Sequence, residues 1–213
     1  MSQEKFWNDN ANNWAQVIEA NLIASRAVTN AAIVNEIVNL KPQTALDIGC
    51  GEGWLTQVLT EKNINCIGID GSQNLITIAR QKRSGSFSCV NYTQIAERKW
   101  QPPHPIDIAV FNFSLLEENL TDLLKKTTEF LTPQGHLLIQ TLHPKNLVEY
   151  RDGWNEEDFK TMSIPFNGKM PWYGRTLESW KLLFTECSLN LVKTTEPDLN
   201  GKPSSVIFVL KKI

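Results

Sequence analysis

The stretch Asp47-Ile48-Gly49-Cys50-Gly51-Glu52-Gly53 decides the fold of this 213-residue chain. Thr44-Ala45-Leu46 runs into it, short and mostly apolar, as a buried strand does. Beyond it, Trp54-Leu55 and Val58-Leu59 recur at helical spacing, so a helix begins near Glu52. A strand that turns through glycines into a helix makes a ligand cradle. Glycine admits positive φ and close approach of a ligand, and the helix N-terminus offers unpaired N–H groups with a partial positive charge. The glycines stand at 49, 51 and 53, with Trp54 following. The third is therefore misplaced for the dinucleotide fingerprint G-x-G-x-x-G.

Strand and helix then alternate. Strands are expected at about 44–49, 64–69 (ending at Asp70), 87–90, 106–111 and 137–142. Helices fall at about 53–62, after Ser72 as an N-cap, and over Leu120 to Leu131, and Pro133-Gln134-Gly135 reads as a turn. Such alternation means crossover units and a parallel sheet covered on both faces. Before it, residues 6–22 read as one amphipathic helix, and a second helix carries Ile33, Ile37 and Leu40 and stops at Lys41-Pro42. After it come a last helix with Leu177, Trp180, Leu183, Phe184 and Cys187, then two strand-like runs over 189–195 and 205–211. Pro197, Asn200-Gly201 and Pro203 lie between those runs, which read as an antiparallel hairpin.

Composition narrows the function. Lys plus Arg is 21 and Asp plus Glu is 23, a balance without a basic footprint for nucleic acid. A chain this long buries roughly 70% of its unfolded surface and needs no disulfide or metal staple. Cys50, Cys66, Cys89 and Cys187 show no C-x-x-C spacing, which fits a reducing cytoplasm. No His/Cys/Asp/Glu cluster suggests a metal, no apolar run approaches the ~20 residues of a membrane span, and the N-terminus is no signal peptide.

Leu46 to Gly53, Gly68-Ile69-Asp70-Gly71-Ser72, and Leu131-Thr132-Pro133-Gln134-Gly135-His136-Leu137 resemble the class I (Rossmann-like) S-adenosylmethionine-dependent methyltransferases. The likeness runs over the whole chain and is to the small-molecule group (methyltransferase type 11/12) that modifies quinone precursors and organic acids. Tyr173-Gly174-Arg175-Thr176-Leu177 also resembles the start of that group's last helix. The resemblance implies an α/β fold with a seven-stranded, mostly parallel sheet, helices on both faces and the C-terminal antiparallel hairpin. It implies S-adenosyl-L-methionine as cofactor, S-adenosyl-L-homocysteine as product, and an O, N or C nucleophile of a small molecule as acceptor. A cytoplasmic monomer or homodimer is expected, as one domain: a helical cap (1–42), a cofactor-binding core (43–142), a lid or substrate insertion (143–175), and the last helix with the hairpin (176–213). A protein or RNA methyltransferase, or a non-catalytic cofactor-binding subunit, stays open beside this reading.

Asp47, Gly49, Cys50, Gly51, Gly53 and Gly71 are expected around the cofactor. Asp70 follows Gly49 by 21 residues, and its two carboxylate oxygens suit a pair of ribose hydroxyls. Many family members carry an adenine-contacting acid where this chain has Asn91-Tyr92-Thr93, so Tyr92, the local backbone or a water takes that contact. Phe111 and Ser114 end the fourth strand, where an aromatic ring favours a sulfonium. The strand end also lacks the Pro-Pro-aromatic run of enzymes that methylate nucleic-acid bases. Trp14 either packs its helix or covers the pocket, and Arg26 either meets the methionine carboxylate or is a solvated surface arginine. The aromatic stretch 143–175 offers Trp172 and Tyr173 to the acceptor, and His143 is either a general base or a loop-bonding histidine.

Overall fold

Thr44–Ile48 forms β1 because its side chains alternate between two buried faces. Leu46 and Ile48 enter one core layer, while Ala45 enters the other. In the computed structural model, which describes residues 2–147 and 149–213, this strand lies inside a sheet, flanked on both sides. Three helices precede it: α1 (Gln3–Asp9), α2 (Ala11–Glu19) and α3 (Arg26–Asn39). The alternating part follows as α4 (Trp54–Glu61), β2 (Asn65–Asp70), α5 (Gln73–Lys82), β3 (Ser86–Cys89), α6 (Tyr92–Ala96), β4 (Ile106–Asn112), α7 (Thr121–Glu129) and β5 (Leu131–Leu142). The rest comprises β6 (Gly153–Glu157), β7 (Met170–Gly174), α8 (Leu177–Glu186), β8 (Leu189–Thr195), β9 (Asp198–Leu199), β10 (Lys202–Pro203) and β11 (Ser205–Lys212).

The main sheet has seven strands in the order β3-β2-β1-β4-β5-β11-β8. Its first five strands are parallel, and β11 is antiparallel to both β5 and β8. One face packs on α7 and α8 through Leu123, Leu124, Leu183 and Phe184, and the other on α3 and α4 through Ile33, Ile37, Leu55 and Leu59. In β11, Val206, Phe208 and Leu210 serve the first face and Ile207 and Val209 the second. A strand buried on both sides therefore reads as one apolar run.

Two expectations need correction. Residues 6–22 are not one helix: the chain turns a corner at Asn10, between α1 and α2. Asn10 is fully buried, its Nδ2 donates to the Phe6 carbonyl at 2.9 Å, and its Oδ1 accepts from the Asn167 amide at 2.7 Å. Arg26 is the first residue of α3. Pro133 to Gly135 lie within β5, where the pairing with β4 slips between Ile106 and Ile108. Within the 143–175 insertion, β6 and β7 pair as an antiparallel ribbon with Trp154 opposite Tyr173. α6 had no place in the sequence reading. Asn91 caps it by accepting from the Gln94 amide, and the Gln94 side chain reaches back to the Asn91 amide.

Candidate cofactor and acceptor site

β1 pairs with β2 on one side and β4 on the other, so strand order reverses beside it, where open α/β sheets bind ligands. The glycine loop is pinned there. The amides of Gly49 and Cys50 both donate to the Ile69 carbonyl, at 2.7 and 2.9 Å. The Gly51 amide donates to Asp70 Oδ2 at 2.9 Å, and the Ser72 amide to Asp70 Oδ1 at 2.8 Å. Each Asp70 oxygen keeps acceptor capacity beyond that one N–H. Burial pushes the Asp70 carboxyl above its ordinary value, opposed by those two donors.

The three loop glycines differ. Gly53 has φ +87°, and a Cβ there would sit 2.6 Å from the Phe87 ring, so its space belongs to the core. Gly49 faces Ser114, whose Oγ donates to the Ile48 carbonyl at 2.7 Å. Gly51, at φ +58°, faces open space, with Trp14 Nε1 3.7 Å from an added Cβ. The loop thus leaves room at Gly51, under the Trp14 indole.

In front of the loop lies a cavity of about 400 Å3. Among the predicted site residues, Trp14, Arg26, Asp47, Gly49, Cys50 and Gly51 line it, as do Asp70, Gly71, Tyr92, Ser114, Trp172 and Tyr173. Three do not. Gly53 is filled by Phe87, and Phe111 lies fully buried behind the wall, edge-on to Tyr92 at 6.1 Å. His143 is also fully buried: Nδ1 accepts from the Lys145 amide at 3.1 Å and Nε2 lies 3.2 Å from Glu196 Oε1. Nδ1 is taken up by its own turn, Nε2 makes no hydrogen bond among the described residues although Glu196 lies beside it, and the ring is not presented to the cavity.

Several walls carry unmet polar capacity. Asp47 is buried, with Oδ2 accepting from Thr56 Oγ1 at 2.8 Å and Oδ1 unpartnered among the described residues. Burial pushes its carboxyl up to about 7. Asn112 Oδ1 and Thr29 Oγ1, both from cavity-lining residues, likewise lack a partner among the described residues. The Tyr92 hydroxyl is committed, donating to the Ser114 carbonyl at 2.8 Å, and burial drives its pKa far upward. Burial raises the Cys50 thiol as well, so it stays protonated.

Sequence reading missed three features of the wall. Glu52 is buried and pairs with Arg83 at 3.1 Å, and Arg26 lies over the Trp54 ring at 4.7 Å with its charge felt at Glu52. Glu4 of α1 reaches the cavity beside Gly71 and Asn91. On the insertion side, Phe159 stacks on Phe166 at 4.6 Å and Phe6 at 5.8 Å, closing the wall around Trp7 and Trp14. Only Glu52, inside the glycine motif, carried a signal; the others meet through tertiary contacts.

The chain belongs to the methyltransferase-domain family, whose model matches residues 22–194. Its sheet and C-terminal antiparallel hairpin are the class I methyltransferase fold. It is 30% identical over 121 residues to trans-aconitate 2-methyltransferase of Sinorhizobium fredii, covering 55% of this chain and 44% of that one. It is 27% identical over 120 residues to ubiquinone biosynthesis O-methyltransferase of Cupriavidus pinatubonensis, covering 55% and 48%. These matches span about half the length of those relatives. Magnesium protoporphyrin IX methyltransferase from Synechocystis PCC 6803, with bound S-adenosylhomocysteine, shares the fold at TM-score 0.68 and 15% identity, covering 99% and 97% of the two chains. So does 1,6-didemethyltoxoflavin-N1-methyltransferase from Burkholderia thailandensis, at TM-score 0.67 and 12% identity, covering 100% and 91%. Among the described residues no helix is long and apolar enough to cross a membrane.

Proposed function

We propose that this protein is an S-adenosylmethionine-dependent methyltransferase acting on a small molecule. The observation that carries this reading is the open space at Gly51, flanked by Asp70 and roofed by Trp14, at the point where strand order reverses. A small, enclosed acceptor site is supported by the aromatic wall of 158–174. It is also supported by the names of the relatives and a structural neighbour, which are methyltransferases of trans-aconitate, of ubiquinone biosynthesis and of 1,6-didemethyltoxoflavin.

The residues fit the cofactor. Its ribose has two hydroxyl donors for the acceptor oxygens of Asp70, and its ammonium suits the unpartnered oxygens of the Asp47 and Asn112 side chains. Arg26, half-buried on Trp54, is the guanidinium available for the carboxylate. When bound, the cofactor would supply an electrophilic methyl carbon on a sulfonium, from which an acceptor lone pair would displace the neutral thioether. The chain's part is to align two reactants and exclude water, an effect worth roughly 7–11 kcal/mol in well-oriented systems. The α1–α2 corner, held to the insertion through Asn10 and Asn167, covers the site and acts with 143–175 as its lid. With His143 off the cavity, an acceptor proton leaves to water or to a lining carboxylate. The four unpaired cysteines support a reducing compartment.

Incubating the full chain with methyl-labelled S-adenosylmethionine and a small-molecule acceptor panel tests this. Label on a small molecule supports it, and label found only on protein or RNA contradicts it.

A further inference from the structure

The ends of the parallel strands cross the site in the order β4, β1, β2, β3, so the cavity floor runs from Asn112 through the glycine loop and Asp70 to Asn91. β3 holds to β2 at that end: Cys89 pairs with Asp70, and the Val90 amide donates to the Asp70 carbonyl at 3.0 Å. With the ribose on Asp70 and the amino-acid end of the cofactor toward Asn112 and Arg26, the adenine extends over the end of β3. Gly71, Leu75, Asn91 and Thr93 line the cavity there, and Glu4 joins them from α1.

Adenine presents one amino donor beside ring nitrogens that accept. The amino group needs an acceptor, and most polar side chains at this end are committed. Asn91 Oδ1 accepts from the Gln94 amide at 3.0 Å, and the Asn91 amide donates to Gln94 Oε1 at 2.9 Å. Ser72 Oγ accepts from the Leu75 amide at 3.2 Å and donates to Asn8 Oδ1 at 3.3 Å. The Cys89 thiol donates to the Gly71 carbonyl, and the Tyr92 hydroxyl lies on the far side, at Ser114. Thr93 offers a neutral hydroxyl, a weaker acceptor than a carboxylate. The Glu4 carboxylate makes no hydrogen bond or ion pair among the described residues.

Glu4 also stands in the right place. A Cβ on Gly71 would lie 3.3 Å from Asn91 Cβ and 3.7 Å from Glu4 Cγ, so the Glu4 side chain is beside the cap of α6. Burial raises the Asp70 carboxyl and the Cys89 thiol, and the charge of Glu4 adds to each. The side chain is exposed, but its backbone is fixed, because α1 is fastened near both ends. Gln3 Nε2 donates to the Leu116 carbonyl at 2.8 Å. Asn8 Oδ1 accepts from the Asn74 amide at 3.1 Å, and Asn74 Nδ2 donates to the Asn8 carbonyl at 2.9 Å. Between them Phe6 is fully buried and stacked on Phe159.

We infer that Glu4 reads the adenine: its carboxylate accepts from the 6-amino group of the cofactor, so the acid that selects this base comes from α1 and not from the end of β3. This rests on the cofactor placement proposed above and deepens it. A charged acceptor strengthens the bond to an amino group, and it repels a carbonyl put in the same place.

The test compares S-adenosylhomocysteine with S-inosylhomocysteine, in which a 6-carbonyl replaces the amino group and N1 carries a proton. Both are titrated by calorimetry into the full chain, Glu4→Gln and Glu117→Gln, each first verified as folded by its thermal transition. Glu117 is the neighbouring cavity carboxylate, raised by burial and by Glu4. The unaltered chain is expected to bind the adenosyl ligand at least tenfold more tightly than the inosyl one. A glutamine amide can serve either base edge, so Glu4→Gln is expected to weaken the adenosyl ligand, spare the inosyl one and bring the ratio to threefold or less. Glu117→Gln is expected to keep the ratio within twofold of the unaltered chain. A starting ratio below tenfold, a ratio that Glu4→Gln leaves above threefold, or a ratio lost in Glu117→Gln overturns the inference and leaves the methyl-transfer reading standing. Failure of the folded chain to bind S-adenosylhomocysteine overturns both.

Discussion

Asp70 Oδ2 accepts a hydrogen bond from the Gly51 amide at 2.9 Å, joining the end of β2 to the loop that follows β1. Its other oxygen holds the Ser72 amide, so one side chain sets two of the cavity's walls. Replacing it with asparagine removes the charge and one acceptor oxygen. We expect Asp70→Asn to weaken S-adenosylhomocysteine at least tenfold, about 1.4 kcal/mol, by calorimetry. Its own stability cost should be about 1 kcal/mol by urea titration, from one weakened loop hydrogen bond.

Gly51 and Gly53 separate binding from folding. Alanine at 53 meets Phe87 at a φ of +87°, and should cost about 3 kcal/mol of stability from overpacking and left-handed strain together. Alanine at 51 meets nothing nearer than Trp14 at 3.7 Å, so it should cost about 1 kcal/mol for backbone conformation alone. Gly51→Ala should nonetheless lose most cofactor affinity, because its Cβ enters the ligand's space. Denaturant midpoints and calorimetry on the two variants check the contrast.

Asp47 makes stability depend on pH. Its carboxyl is held near 7 by burial against an ordinary 3.8, so between those values the folded protein holds a proton that the unfolded chain releases. Stability from this group is therefore full below pH 4, falls as pH rises toward 7, and levels off above 8, by roughly 4 kcal/mol at most. Asp47→Asn removes that dependence. The Tm difference, wild type minus variant, should decline across pH 4 to 7 and be flat from 8 to 9.

His143 serves its own turn rather than the reaction. His143→Ala should lower stability by about 1–3 kcal/mol through the unmet Lys145 amide and the vacated space. Affinity for S-adenosylhomocysteine should stay within twofold of wild type, since the ring does not line the cavity. A large loss of affinity in a folded variant would return His143 to the site.

The strand–glycine–helix turn and the alternation of strands and helices were legible because both are local: glycines at 49, 51 and 53 and an acid ending β2 are positions along the chain. The corner at Asn10 was not, because neither glycine nor proline marks it and its cause, Asn167, lies 157 residues away. The Glu52–Arg83 pair spans 31 residues and is invisible for the same reason. His143 shows a different limit. Its position at the end of β5 could be read, but a strand end does not say where a side chain turns, and Glu196 and the Lys145 amide decide that. α6 was legible in principle, since Asn91 and Gln94 form a capping box.

Calorimetric titration of the full chain with S-adenosylhomocysteine tests the central claim most directly. The expected result is saturable one-site heat with micromolar affinity, accompanied by a rise in Tm that grows with ligand concentration. Flat heats and an unmoved Tm from well-folded protein would contradict it.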